Sequence, residues 1–250
     1  MKLKALIFSV CIILCSSALC TETNPILEKI DTLYQTRNIP NNLSESLEII
    51  NNSLSTEISE SLKYELLWRY ARQVSAAKNY INNTDKEKLA LYEKGLVRCN
   101  DALKIKPKAI NPIYWHAIVL GRQAELKGVM NSLTSIKPIR NSMNTILDYD
   151  PNFSRAYFVL ARLYRKAPKV ISIGNPKKAL KNINIALKLD PNDSIYIIEK
   201  AKILLKLKKK EEAIKELKHL ILMPIYPNYF KDQVLRDKKE AEQLLDKLTK

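Results

Sequence analysis

The chain has 250 residues, 46% of them hydrophobic and 27% charged, which is enough to bury a core, and its net charge is +16 from 42 Lys and Arg against 26 Asp and Glu. Four glycines (Gly95, Gly121, Gly128, Gly174) include no pair that forms a phosphate-cradling loop, so a P-loop and a dinucleotide fingerprint are excluded. Two histidines on separate segments and one cysteine beyond residue 20, Cys99, are too few for a zinc cluster, a His-Cys-Asp site or an internal disulfide framework. The basic surplus suits acidic peptides, anionic lipid headgroups or nucleic acid.

In chain order, residues 1–20 read as a secretory signal peptide. Lys2 and Lys4 supply its positive start, Ala5 to Leu14 its apolar run, and Ser16-Ser17-Ala18 its small-residue cleavage zone. The run is shorter than a membrane span needs, and Thr21-Glu22-Thr23-Asn24-Pro25 turns polar behind it. Cys20, after Ser17-Ala18-Leu19, is a candidate for lipidation, with Leu19 where such a signal takes Gly, Ala or Ser. Export to a periplasm or to the face of an envelope membrane is therefore expected, and it argues against a nucleic-acid partner. Residues 24–37 predict a helix capped by Asn24 with Pro25 in its first turn, and Pro40-Asn41-Asn42 separates it from a return helix over 43–54. Residues 58–81 predict one long amphipathic helix carrying Leu62, Leu66, Leu67, Tyr70, Ala71 and Val74. Asp85 is the expected cap of a helix ending near Lys106, and residues 109–127 form the next. Residues 127–138 then read as an inserted loop, with a helix over 135–149 that takes Pro138 in its first turn. Residues 153–165 pair with 176–189, and 194–207 with 211–222. A helix over 228–248 closes the array, polar on one side as terminal caps are.

A spacing recurs through these elements. Ala179, Ile183, Ala186, Leu187 and Pro191 fall as A-x3-I-x2-A-L-x3-P, Ala213 follows Ala179 by 34 residues, and Gly95, Cys99, Ala102, Leu103 and Pro107 repeat the pattern upstream. Tyr157, Leu160, Ala161 and Tyr164 supply a matching first-helix set. The spacing resembles the tetratricopeptide (TPR) repeat, a helical hairpin that cannot bury its apolar face alone and so stacks with its neighbours. The resemblance implies an all-α, TPR-like solenoid of about five helical hairpins plus a C-terminal capping helix. Its expected parts are the signal over 1–20, N-terminal hairpins over 21–107, repeats with inserted loops over 108–225, and the cap over 226–250. Four segments are more specific: Trp68-Arg69-Tyr70-Ala71-Arg72, Trp115-His116-Ala117, Lys127-Gly128 followed by Ile136-Lys137-Pro138-Ile139, and Asp150-Pro151-Asn152. Together, over about residues 25–248, they resemble bacterial exported TPR proteins related to the regulator of microtubule dynamics family. In architecture and location the chain is also similar to the T-component of TRAP transporters. Neither resemblance implies an enzyme, a cofactor or a metal.

The candidate site follows from aligning the repeats on the small residue of each first helix. Trp68, Tyr114, Phe158 and Ile198 stand three residues earlier, and Arg72, Ile118, Arg162 and Lys202 one residue later. Positions spaced i, i+4 share a helix face, and the TPR resemblance implies that this face lines a concave groove. Arg155 and Arg165 would join Arg162 there, with the Arg162 side chain in solvent, and guanidinium groups bind carboxylates bidentately. The competing reading makes the aromatics core and the arginines a solvated face. Inserted segments 127–138 and 167–175 are further candidates, because insertions in solenoids map to one face. Cys99 reads as a small core residue and His116 as a packed one. These features lead to an expected function of non-catalytic binding of a protein or peptide, acidic in character. The alternatives are an accessory component of a transporter holding an apolar or anionic small molecule, and a scaffold on a membrane through the basic faces.

Overall fold

The computed structural model describes residues 24–168 and 173–249, so the signal and Cys20 lie outside the described residues, as does part of the segment 167–175. The described residues form helices α1 (Pro25–Gln35), α2 (Asn42–Leu54), α3 (Glu60–Ser75), α4 (Ala77–Tyr80), α5 (Asp85–Ile105), α6 (Ile110–Lys127), α7 (Val129–Tyr149), α8 (Ser154–Lys166), α9 (Pro176–Leu189), α10 (Ser194–Lys206), α11 (Lys210–Leu222) and α12 (Lys231–Thr249). They pair as α1/α2, α3/α5, α6/α7, α8/α9 and α10/α11, with α12 against α10 and α11, an all-α solenoid of five hairpins and a cap.

The pairing follows from where the small residues fall. Ala71, Ala161, Ala179, Ala186, Ala201 and Ala213 are fully buried, so helices meet there with little between their backbones. Four apolar clusters run along the array, the smallest around Tyr64, Leu67, Trp68 and Ala102. The first holds Ile30, Ile50, Leu66, Tyr70, Tyr92 and Cys99, the second Ile139, Met143, Phe158, Ile183 and Tyr196, and the third Ile197, Leu217, Leu220 and Ala241. Trp115 packs against both the first and the second, so each hairpin shares its core with the next. Burial pushes the Cys99 thiol well above its usual value, as a core residue requires.

Three local expectations are corrected. The helix expected over 58–81 breaks at Ala76 into α3 and α4, where the Ala76 amide bonds the Gln73 carbonyl at 3.0 Å, a tighter turn than the helical i−4 bond. Thr84, not Asp85, caps α5: its hydroxyl accepts from the Glu87 amide at 3.3 Å, and the Glu87 carboxylate accepts from the Thr84 amide at 2.7 Å. Residues 129–137 are helical, so α7 starts at Val129 and Pro138 lies inside it. Pro138 forfeits one backbone bond there, while Ile136, Ile139, Met143 and Ile146 all gain burial on the helical period.

The two ends of the array meet. Tyr34 of α1 packs edge-on against Phe230, with ring centroids 5.6 Å apart, and Arg37 lies 3.7 Å over the same ring and 3.7 Å from Asp232. The Tyr80 hydroxyl donates to Asp232 across 152 residues of sequence, and Arg236 bonds the same carboxylate at 2.8 Å. The concave face of the solenoid is thereby closed into a ring.

Candidate functional site

The ring surrounds a cavity of about 890 Å³ that is open to solvent. Its walls come from every part of the array: α1 gives Tyr34, α3 Arg72, α6 Tyr114, Trp115, Arg122 and Glu125, α8 Arg155, Phe158 and Arg162, α10 Tyr196, and the closing segment Tyr229 and Phe230. Among the described residues, seven basic side chains line it (Arg37, Arg72, Arg122, Arg155, Arg162, Lys166, Arg236) against three carboxylates (Glu125, Asp190, Asp193). The lining carries a cationic surplus.

Most of these charges are engaged. Arg72 pairs with Asp31 and lies 4.5 Å over the Tyr34 ring, with its Nε buried and unpartnered. Glu125 gathers Lys166 at 3.3 Å, Arg122 at 3.5 Å and Lys78 at 3.8 Å. Burial would raise the Glu125 carboxyl, but Lys166, Arg122 and Arg162 outweigh it and hold it below the usual carboxylate range. Arg37 and Arg236 are held by Asp232. Arg155 and Arg162 differ: among the described residues neither has a carboxylate within ion-pair distance. Burial pushes the Arg162 guanidinium down from its usual value, with Glu199 acting against that and Arg122 adding to it. Arg162 is thus a half-buried cation without an ion pair, which an incoming anion relieves. Arg155 is exposed, and desolvation there is outweighed by Tyr114, Tyr196 and Asp193, which hold its guanidinium above its usual value.

The aromatic part of the wall is rigid. Phe158 stacks on Tyr196 at 5.2 Å, and Tyr114 meets Phe153 edge-on at 5.3 Å. Burial pushes the Tyr114 hydroxyl up to about 12, and it also raises Tyr196, so both stay protonated donors. Burial raises Asp193 to about 6, and the Ile195 amide, which bonds it, acts in the other direction.

Of the residues the sequence singles out, Arg72, Tyr114, Arg155, Phe158 and Arg162 come together in this cavity. Trp68, Arg165 and Lys202 do not. Trp68 is core beside Tyr64, Leu67 and Ala102, with its indole donating to Glu65 at 2.9 Å. Arg165 is committed to the buried Glu199 at 2.9 Å, and Lys202 to Glu240 of α12 at 2.7 Å. Arg162 is half-buried in the cavity wall, not in open solvent as expected. The closing residues Tyr34, Tyr80, Tyr229 and Phe230 were missed, because repeat alignment says nothing about contacts between the ends of an array. His116 is away from the cavity, and burial lowers its pKa. Among the described residues no group of His, Cys, Asp and Glu is placed to hold a metal ion, and no helix is long and apolar enough to cross a membrane.

A family model described as Regulator of microtubule dynamics protein 1-3 matches residues 26–249. No curated protein matches the sequence. Among solved structures, the chain is similar to TTC0263, a thermophilic TPR protein of Thermus thermophilus, at 14% identity and a TM-score of 0.63 over 87% of this chain and 97% of that one. It is also similar to MamA residues 41 to the end from Desulfovibrio magneticus RS-1 (14% identity, TM-score 0.48, 87% and 97% covered). A third match is YrrB, described as a TPR protein with an unusual peptide-binding site (14%, 0.46, 86% and 91%). The first shows a shared TPR fold, and the other two carry no weight about ligands.

Proposed function

The chain belongs to the regulator of microtubule dynamics protein 1-3 family, and we propose that it is a non-catalytic scaffold whose ring-closed cavity binds an acidic segment of a protein partner. The observation that carries this reading is the pair Arg155 and Arg162, two cations on the cavity wall without carboxylate partners among the described residues. Fork-shaped guanidinium groups take carboxylates with two bonds each, and partial burial at Arg162 strengthens the bonds there. The N-terminal pattern Lys2–Ala18 supports action outside the cytoplasm, in a periplasm or at an envelope membrane. Mature protein from the native host should then begin between Leu19 and Asn24, and an intact mass that retains Met1 would refute export with cleavage.

The binding reading is tested by titrating an acidic dodecapeptide into the protein at two salt concentrations. Arg162→Gln should weaken binding by about tenfold, the loss of one charge-assisted pair. Lys209→Gln, on the outer turn between α10 and α11 and paired with Glu212 at 2.7 Å, should leave it unchanged. Equal loss in both variants would mean that net charge alone attracts the peptide. A second reading, small-molecule handling for a transporter, draws support from the size of the cavity, since about 890 Å³ lies within the ~300–1,000 Å³ of ligand sites. Native mass spectrometry of protein from its host would reveal a retained small molecule under that reading and bare protein under the first.

A further inference from the structure

In a stack of helical hairpins, the turns inside the hairpins lie at one end and the turns between hairpins at the other. The two ends of this solenoid differ in charge. At the end with the inner turns, Lys78, Lys127, Lys166, Lys177 and Lys178 are all exposed, and the run 206–210 adds four more lysines. The acids there (Asp85, Glu87, Glu125, Glu211 and Glu212) are fewer, and several are occupied. Glu125 gathers Lys166, Arg122 and Lys78, Glu212 holds Lys209 at 2.7 Å, and Glu87 caps α5. The turns between hairpins mix both signs, with Asp148, Asp150, Asp190 and Asp193 against Lys104, Lys106 and Lys108.

From the basic end one turn projects. α6 runs ten residues past Ala117, whereas α8 runs five past Ala161, the equivalent position of its repeat. At ~1.5 Å per residue, the α6–α7 turn stands about 7 Å beyond the end of α8. Gly128 alone reverses the chain there, at φ 97°, a conformation that favours glycine. The next two residues, Val129 and Met130, are 76% and 73% exposed, and among the described residues no other two neighbours in sequence are large apolar side chains left in solvent. Lys127 flanks them, and no acidic residue occurs from 126 to 147. A stable protein interface buries ~800 Å² per partner, far more than two side chains offer. A bilayer asks for less: apolar side chains enter at the headgroup boundary while lysines around them meet anionic lipids.

We infer that the lysine-rich end of the solenoid docks on an anionic membrane surface, with Val129 and Met130 inserted at the headgroups and the lysines of the inner turns over the lipid phosphates. The inference is independent of what the cavity binds. Its test is co-sedimentation of the full chain with phosphatidylcholine vesicles, with and without phosphatidylglycerol. Residues 1–20 are common to every variant, so differences between variants report on the solenoid alone. The parent should bind the anionic vesicles more tightly than the neutral ones. Val129→Ser with Met130→Ser should weaken that binding at least about tenfold. Leu222→Ser, which removes a side chain 83% exposed at the opposite end, should not. Lys208→Gln should cost about fivefold, and Lys104→Gln, the same charge change at the other end, should cost little. Equal losses from both lysine variants would show that net charge alone attracts the protein, and would overturn the inference, as would binding unmoved by the double serine change. A local readout keeps the result clear of any effect on folding. With anionic vesicles, the emission of Met130→Trp, after subtraction of the parent's spectrum, should shift to the blue, and that of Leu222→Trp should not. A shift in both or in neither would refute docking through this end.

Discussion

Gly95 tests the packing of the second hairpin, α3/α5. It sits in α5 where that helix crosses α3, and a Cβ placed there would lie 2.8 Å from Val74 Cγ2, 3.6 Å from Val119 Cγ1 and 3.7 Å from Ala71 Cα. Carbon atoms pack best at ~3.5–4.0 Å, so the first contact is a clash. Val74 is fully buried on a helix, where a β-branched side chain has essentially one rotamer and cannot turn aside. Gly95→Ala gains about 1 kcal/mol of helix propensity and loses about 1–3 kcal/mol to overpacking. The net is a destabilisation of about 1 kcal/mol, a fall in melting temperature of roughly 2–4 °C for a chain of this size. Gly121→Ala is the internal control: its nearest neighbour is Ile139 Cδ1 at 3.4 Å, the mobile end of a longer side chain, so the propensity gain should survive. Urea denaturation followed by far-UV circular dichroism should move the two midpoints in opposite directions. Val74→Ala should turn Gly95→Ala from harmful to neutral, a positive coupling in the double-mutant cycle. A Gly95→Ala midpoint that rises as much as that of Gly121→Ala would refute the close approach of α3 and α5.

Other expectations can be checked on the same protein. Arg165→Gln should cost about 3 kcal/mol, because it leaves Glu199 buried without its partner, whereas Arg162→Gln should leave the unfolding midpoint nearly unmoved. Asp193 and Asp237 are both raised by burial to about 6, so the folded chain holds their protons more tightly than the unfolded chain does. Their contribution to stability should therefore rise as pH falls from 7 toward 4, opposed in that window by His116, whose pKa burial lowers, and Asp237→Asn should remove part of that rise. Asp31 and Glu125, held low by their arginine and lysine partners, make the opposite contribution and lose it below the usual carboxylate range. Asp232→Lys should open the ring, seen as a larger radius of gyration by small-angle X-ray scattering, and an unchanged radius would refute the closure contact.

The hairpins were legible because their signal is local. Ala179, Ala186 and Ala213 recur at the spacing where helices touch, and all three are fully buried. The misreadings came where a local preference lost to burial. Pro138 reads as a helix start, yet Ile136 and Ile139 on either side of it are core, and their burial outweighs one missing backbone bond. The site was legible in its middle, on α8, because Arg155, Phe158 and Arg162 share a face by helical periodicity alone. It was illegible where a residue's fate depends on the next element. Arg165 and Lys202 read as groove cations until Glu199 of α10 and Glu240 of α12 take them. Glu125, the one carboxylate among the cavity cations of α6 and α8, carried a signal of its own, since a lone acid facing several bases implies that they converge.

The closure itself depends on curvature, which no single repeat encodes. Each hairpin adds a small rotation to the array, and only their sum brings Tyr34 and Arg37 to Phe230 and Asp232. The apolar face of α12 is spent elsewhere, with Val234 and Ala241 buried and Leu244, Leu245 and Leu248 packed on the last core cluster. What remains for the meeting of the ends is one edge-on ring pair, cations on rings, and a carboxylate shared by Arg37, Tyr80 and Arg236. Contacts of that kind are weaker than core packing and are screened by salt. The hairpin stacks therefore hold the curvature and the seam holds only the last step of closure.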